Sequence, residues 1–294
     1  MPSDELPFVS VVVPTAARTR LLADCLRTLV DQDYPIDRFE VIVAHNGPAD
    51  GGPLPGDLRE RADPPAVRHL RIARRDANAA RNAGLRAARG DPICLVDDDV
   101  LVPGSWLRTV VDGARRHPSA GCLGGPVRPR FEAAAPRTCR CHELAGARLD
   151  EGPSDAVVDE VWSCNMAIRR EALERVGDLR EGLAVVHESE WEGRLRQVGG
   201  TIVYLPDAWL WHRRLSSDVS PWSLVRDNFR LGYSVVALGQ ELPARRACRT
   251  AAVSLAHAAG HRCTRGLTDA MRALGSLAAI AAGRRRRPWA TSLR

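Results

Sequence analysis

The 294-residue sequence predicts an α/β protein: a mixed, mostly parallel sheet flanked by helices, with a C-terminal helical extension. Three observations carry this. β-branched runs alternate with amphipathic helical stretches through the first hundred residues, the order that builds parallel βαβ units. The apolar run Ile93-Cys94-Leu95-Val96 ends abruptly in Asp97-Asp98-Asp99, as an interior strand does when its C-terminal end opens at a ligand site. Beyond Pro206 the composition turns Ala-, Leu- and Arg-rich, in segments of helical length.

Phe8-Val9-Ser10-Val11-Val12-Val13, closed by Pro14-Thr15, predicts a first buried strand and a turn. Leu21, Leu22, Cys25, Leu26, Leu29 and Val30 recur at three- and four-residue steps, so a helix with one apolar stripe should run from about Arg20 to Gln32. Phe39-Glu40-Val41-Ile42-Val43-Ala44 is a second strand ending in the turn His45-Asn46-Gly47-Pro48, and the crossover between the two strands should be right-handed. Gly51 to Pro65 is loop-like, and Val67 to Ile72 suits a third, edge-like strand. Asn78 to Ala88 has strong helix propensity and leads, through Arg89-Gly90, into the acidic strand end. After it, Pro221 to Gly239, Pro243 to Gly260 and Thr264 to Gly283 each open on Pro or Thr and close near Gly, predicting three helices. We therefore divide the chain into residues 1–215 and a helical extension, 216–294.

Composition bounds the function. With 45% hydrophobic and 27% charged residues the chain is globular rather than disordered. A net charge of +6 suits phosphate-bearing ligands, anionic membranes or nucleic acid without choosing among them, and Arg284 to Arg287 supply four of the positive charges. Met1 to Glu5 lack the features of a signal peptide and no apolar run approaches about 18 residues, so a cytoplasmic protein without a spanning helix is expected. Neither a Gly-x-Gly-x-x-Gly nor a Gly-x4-Gly-Lys-Ser/Thr loop occurs, which removes the main support for dinucleotide and P-loop readings. Of eight cysteines, Cys25, Cys94, Cys122 and Cys164 sit in or beside apolar stretches and should be reduced core residues. Cys139-Arg140-Cys141-His142 clusters donors, but Cys-x-Cys is tighter than the usual zinc pair, so an exposed loop is the preferred reading.

Three adjacent carboxylates repel one another unless a cation sits among them. In an extended chain Asp97 and Asp99 point to one face and Asp98 to the other, so an Asp-x-Asp pair can share a hard ion, Mn2+ or Mg2+. Together with this motif, the Val-Ser-Val-Val-Val-Pro-Thr strand, Cys25-Leu26-x-x-Leu29, Tyr34-Pro35, Val41-Ile42-Val43 and Ala80-Arg81-Asn82-Ala83-Gly84 fall in an order that resembles a family 2, GT-A fold glycosyltransferase. The resemblance continues through Cys164 to Leu173, Leu195-Arg196-x-x-Gly199, Val203 to Asp207 and Trp211-His212, and so spans about Phe8 to Arg213.

That resemblance implies a nucleotide-sugar donor above the first half of the sheet. Pro14 and Thr15 match the base-binding corner and Arg81 a residue near the nucleotide, although Arg81 taken alone would be a helix-surface charge. Asp97 with Asp99 match the Asp-x-Asp motif that holds ribose and the metal-bound diphosphate, with Asp97 and Asp98 toward the nucleotide-sugar and the metal on Asp97 and Asp99, and His212 matches a position that in some members completes the metal or diphosphate site. Where the family usually carries Asp-Asp or Asp-Asn before Gly, this chain has His45-Asn46-Gly47. His45 can still meet a base by stacking or a hydrogen bond, so a UDP-sugar stays the default and GDP- and TDP-sugars stay open. The implied reaction is single displacement with inversion.

Three acids compete for the role of base. Glu190 and Arg194, like Glu192 and Arg196, stand four apart, the arrangement of ordinary surface ion pairs. Glu188 instead shares a helix face with Trp191 and Leu195, and partial burial there would raise its pKa toward the range of a general base. The family comparison also places Glu188 on the catalytic acid, so it is the expected base. The acceptor, whether lipid-linked, polysaccharide or a small natural product, is not written in the sequence. The basic helical tail suits either an in-plane contact with anionic lipid or a lid over the acceptor site. No nucleic acid is expected, because aromatics are not interleaved with those charges apart from Trp289. A sugar-nucleotidyltransferase and a non-catalytic nucleotide-binding relative stand as alternatives.

Overall fold

The computed structural model describes residues 5–16, 19–47, 63–139, 148–183, 187–237 and 243–283. Most of the loop expected from Gly51 to Pro65, and also Arg140, Cys141, His142, Arg284 to Arg287 and Trp289, lie outside those residues.

The first half follows the predicted order: β1 (Val9–Thr15), α1 (Thr19–Val30), β2 (Phe39–His45), β3 (Ala66–Arg71), α2 (Ala77–Ala87) and β4 (Ile93–Leu95). β1 extends through Pro14 instead of stopping there. Its pairing with β4 has already ended at Val12, so a residue with no N–H to donate sits where one neighbouring strand has left. Then come β5 (Val100–Leu101), α3 (Trp106–Arg116), β6 (Ala120–Gly124), β7 (Val127–Phe131), β8 (Ala156–Val158) and β9 (Met166–Ile168). α4 (Arg170–Val176), α5 (His187–Gln197), β10 (Thr201–Tyr204) and β11 (Leu210–Arg214) complete the sheet region.

The main sheet has the order β3-β2-β1-β4-β9-β6-β10-β8. β3, β2, β1 and β4 are mutually parallel, β9 runs against both β4 and β6, and β8 runs against β10. It is the mixed, mostly parallel sheet expected. Alternation along each strand feeds two cores. Val9, Val11, Val13, Val41, Val43 and Cys94 join α1 and α3 in one; Val12, Ile42, Ile93 and Leu95 join Leu85 of α2 and Trp191 and Leu195 of α5 in the other. Gly84 lets α2 lie close on β1, since a Cβ there would come 2.2 Å from Val12 Cγ1. Cys25, Cys94, Cys122 and Cys164 are buried and outside any disulfide, as expected of core thiols.

By its internal contacts the chain separates into residues 1–128 with 149–213, and 129–148 with 214–294. The second unit is built on α6 (Pro221–Ala237), α7 (Ala244–His261) and α8 (Thr264–Ala281), three helices close to the predicted spans. Small residues form its seams. A Cβ on Gly275 of α8 would meet the Phe229 carbonyl of α6 at 2.0 Å, and Ser276 Oγ donates to the Gly232 carbonyl at 3.0 Å. Among the described residues no helix is long and apolar enough to cross a membrane.

Candidate functional site

The C-terminal ends of β1, β2 and β4 gather the residues singled out in the sequence. β4 ends at Leu95 and the chain turns through Asp98 and Asp99 before pairing again at Val100. The three acids therefore do not alternate along an extended strand, as the sequence suggested. The turn sends each to a different partner. Asp98, almost fully buried, accepts from Thr15 Oγ1 at 2.6 Å. Asp97 Oδ1 accepts from Arg81 Nη2 at 2.9 Å, and Asp99 Oδ1 lies 3.1 Å from His212 Nε2.

His212 reaches Asp99 because β11 pairs antiparallel with β5, setting His212 opposite Val100. One ligand atom each from Asp97, Asp99 and His212 lies within 4.8 Å of the others. Two carboxylate oxygens and an imidazole nitrogen fit a divalent ion such as Mn2+ or Mg2+, with the imidazole favouring the softer of the two. His212 Nδ1 is buried without a hydrogen-bond partner, so a cation in this group would meet a ring with one nitrogen uncommitted.

Arg81 is not a helix-surface charge: it is 5% exposed, and its Nη1 also donates to Asn78 Oδ1 at 3.1 Å. Its position follows from how α2 begins. Asp76 caps the helix by accepting from the amides of Asn78 and Ala79, and also from Gly182 at 2.6 Å. Asn82 exchanges two hydrogen bonds with Leu179, and Asn78 Nδ2 donates to the Arg180 carbonyl at 2.7 Å. These bonds strap residues 179–182, the segment ahead of α5, to the start of α2. Sequence reasoning missed Asp76, Asn78 and Asn82. The available signal was two buried-phase Asn residues four apart in an otherwise Ala-rich helix, where Asn is a poor helix former.

On the β1–β2 side, Thr15 and His45 are register partners, and the Asn46 amide donates to the Thr15 carbonyl at 3.0 Å. Pro14 lies buried one residue earlier, and Asn46 Oδ1 is buried with no hydrogen-bond partner. His45 stacks on His69, with Nε2 2.9 Å from His69 Nδ1. Burial first, then His69 and Arg71, push the His45 pKa down to about 4, so the ring is neutral at physiological pH.

Glu188 is half-buried in the first turn of α5, with its Oε2 enclosed. Burial is the chief cause of its raised pKa; Asp97 adds to the rise, whereas Arg81 and the Ser163 amide oppose it. Glu188 thus lies within the electrostatic reach of both Arg81 and Asp97.

Glu190 and Glu192 differ from expectation. Neither is a surface ion-pair residue: Glu190 is 1% exposed and Glu192 0%. Glu190 grips Arg194 at 3.0 Å, and Arg194 in turn donates to the carbonyls of Val176 and Asp178. Arg196 turns instead to Asp159, while Glu192 accepts from the Val161 amide at 2.8 Å. The i,i+4 spacing is the same on a buried face as on an exposed one, which is why sequence spacing did not separate the two. Glu190→Gln is therefore expected to destabilise the fold by about 1–2 kcal/mol, measured by denaturant unfolding, because Arg194 loses its charge partner.

Burial, with Glu188 one turn away as a further cause, pushes the Glu192 carboxyl well above the usual carboxylate range. A folded pKa above the unfolded one means the native state binds more protons in between, so this group costs stability as pH rises through its folded pKa. Glu192→Gln should accordingly gain melting temperature relative to the parent as pH rises from about 4.5 toward 8, with the difference shrinking toward acid. A pH-independent difference in thermal melts would contradict it.

Comparison with known proteins agrees with this architecture. The family model for glycosyl transferase family 2 matches residues 10–177, a span that includes Arg81 and the acidic turn and stops short of Glu188 and His212. The succinoglycan biosynthesis protein ExoM of Rhizobium meliloti is 28% identical over 239 residues, covering 79% of this chain and 75% of its own. A glucosyl-dolichyl phosphate glucuronosyltransferase of Haloferax volcanii is 26% identical over 246 residues, covering 77% of this chain and 75% of its own. Among solved structures, the mannosyltransferase PcManGT of Pyrobaculum calidifontis, in complex with GDP-Man and Mn2+, superposes with a TM-score of 0.59 at 20% identity, over 95% of this chain and 76% of that one. The likeness extends to the GT-A fold.

Proposed function

Since the chain belongs to glycosyl transferase family 2, we infer that it is a metal-dependent, inverting glycosyltransferase that moves a sugar from a nucleoside-diphosphate sugar, UDP-sugar by default, to an acceptor hydroxyl. The observation that carries the reading is the convergence of Asp97, Asp99 and His212 beside a buried Arg81 and an enclosed Glu188. Pro14, Thr15, His45 and Asn46 form the corner for the base. A neutral His45 suits stacking or a neutral hydrogen bond, and the GDP-Man of PcManGT keeps a guanine nucleotide open beside uracil.

Cleavage of the anomeric C–O bond leaves negative charge on the departing diphosphate, and a divalent ion held by Asp97, Asp99 and His212 would supply Lewis-acid stabilisation there. Asp98, tied to Thr15, links the base corner to the acidic turn and orients the ribose side of the donor. Arg81 holds Asp97 in place and adds fixed positive charge beside the diphosphate. Glu188 accepts the proton of the acceptor hydroxyl as it attacks from the opposite side of the sugar, which inverts the anomeric centre. The test is release of nucleoside diphosphate from a panel of UDP-, GDP- and TDP-sugars, with and without EDTA. Chelator-sensitive release from at least one donor is expected; no release from any donor, with nucleotide binding retained, would favour a non-catalytic relative.

A lipid-linked acceptor is favoured by the name of the Haloferax relative and by the second unit's surface. Trp222, Val253 and Leu255 are exposed on α6 and α7, and α7 also carries exposed Arg245, Arg246 and Arg249. Apolar and cationic groups together suit an anionic membrane surface. The full chain should co-sediment with anionic vesicles at low salt and less so at high salt, and deleting residues 283–294 should weaken the binding. Failure to co-sediment at low salt would rule out the membrane contact and leave the extension as a lid or a plain solvated surface.

A further inference from the structure

Away from the acidic turn, the second unit brings together three soft donors that the sequence scatters over 124 residues, from Cys139 to Cys263. Cys139 Sγ lies 3.4 Å from His257 Nε2, and one ligand atom each from Cys139, His257 and Cys263 falls within 4.8 Å of the others. In a tetrahedral zinc site with Zn–S near 2.3 Å and Zn–N near 2.1 Å, the sulfur and nitrogen stand about 3.5 Å apart. The observed edge needs almost no adjustment.

The surroundings favour thiolates. Cys263 is the N-cap residue of α8, and the Cys139 amide donates to its sulfur at 3.3 Å. The backbone is already clipped at this point: the Thr264 amide donates to the Arg137 carbonyl at 2.9 Å, and Arg262, at φ 47°, turns the chain sharply from α7 into α8. Cys263 is 2% exposed, so the sulfur is shielded from solvent oxidants.

We propose that Cys139, His257 and Cys263 bind one zinc ion, a site distinct from the acidic turn, which staples the chain at Cys139 to the α7–α8 turn. Two thiolates and an imidazole are soft ligands that select zinc over the hard ion suited to Asp97 and Asp99. Among the described residues three protein ligands are grouped, and a tetrahedral ion would take a fourth donor beside them. Since the three protein ligands hold two segments far apart in sequence, metal binding contributes to the stability of the helical unit rather than to sugar transfer.

The test uses the reduced, full-length chain stripped of metal and titrated with Co2+ and then Zn2+. An intense sulfur-to-cobalt charge-transfer band should saturate at about one thiolate-bound Co2+ per chain, and Zn2+ should abolish the band and raise the melting temperature. The band should be lost in Cys139→Ser, His257→Asn and Cys263→Ser. It should persist in Cys248→Ser, an exposed cysteine on α7 outside the cluster, and in Asp99→Asn, whose site holds no sulfur. No thiolate band in the parent chain, a band that survives in the Cys139→Ser, Cys263→Ser double variant, or a Cys139–Cys263 disulfide under reducing conditions would overturn the proposal.

Discussion

Replacing Asp99 by Ala is expected to abolish measurable turnover, a loss of at least about a thousandfold in kcat, and to remove the metal-dependent part of nucleotide affinity. Asp99 is one of the two carboxylates in the only group that combines Asp97 and His212 among the described residues, and its Oδ1 is the atom 3.1 Å from His212 Nε2. Its removal takes a ligand and also frees the imidazole to rotate. Asp97 does not substitute, because it already supplies its own ligand atom to the same group. Asp99→Asn keeps the shape and loses the charge, so it should fail almost as completely in turnover while melting close to the parent. Kinetics at saturating Mn2+, paired with thermal melts, separate the loss of charge from a loss of fold. Full activity in the Asp99→Ala variant with EDTA present would rule out the metal assignment.

Glu188→Gln should lower kcat by at least about a hundredfold with donor affinity nearly unchanged. The amide has the size of the carboxyl but cannot take a proton from the acceptor. Because burial raises the Glu188 pKa, the parent's kcat should climb with pH through a limb above the ordinary carboxylate range, near 4.3, as the base loses its proton. In the variant that limb should vanish. An unchanged pH profile, or normal turnover in Glu188→Gln with Glu190→Gln inactive, would move the base to another acid.

Local order explains how much of this was legible in the sequence. The stripe Leu22, Cys25, Leu26, Leu29 and the runs of β1 and β2 need only near neighbours to read, and they appear within a residue or two of expectation. Antiparallel β9, inserted between β4 and β6, has no local signature, because three residues, Met166–Ile168, carry too little pattern to set a direction. The pairing of Asp97 with Asp99 and the separate course of Asp98 were legible in the sequence, whereas the turn that produces them, in place of an extended strand, was not. Only the contacts of Thr15, Arg81 and His212, each brought from a different element, decide which way each carboxylate points. Arg81 reads as a surface charge until the strap from residues 179–182 covers the start of α2. Cys139, His257 and Cys263 are an extreme case. Cys139 and Cys141 are adjacent enough to read as a pair in the sequence, whereas the partners that Cys139 meets lie at the end of one helix and the beginning of another, more than a hundred residues away.

Titration calorimetry of UDP, GDP, TDP and CMP against the full chain, with and without Mn2+, tests most directly whether the acidic turn is a metal-linked nucleotide site. A nucleoside diphosphate, UDP in the default case, should bind at least about tenfold more tightly with Mn2+ than without it, a gain of about 1.4 kcal/mol that Asp99→Ala erases, and CMP should gain least because it lacks the second phosphate. Equal affinity with and without Mn2+ for every nucleotide, or no binding of any, would contradict the account.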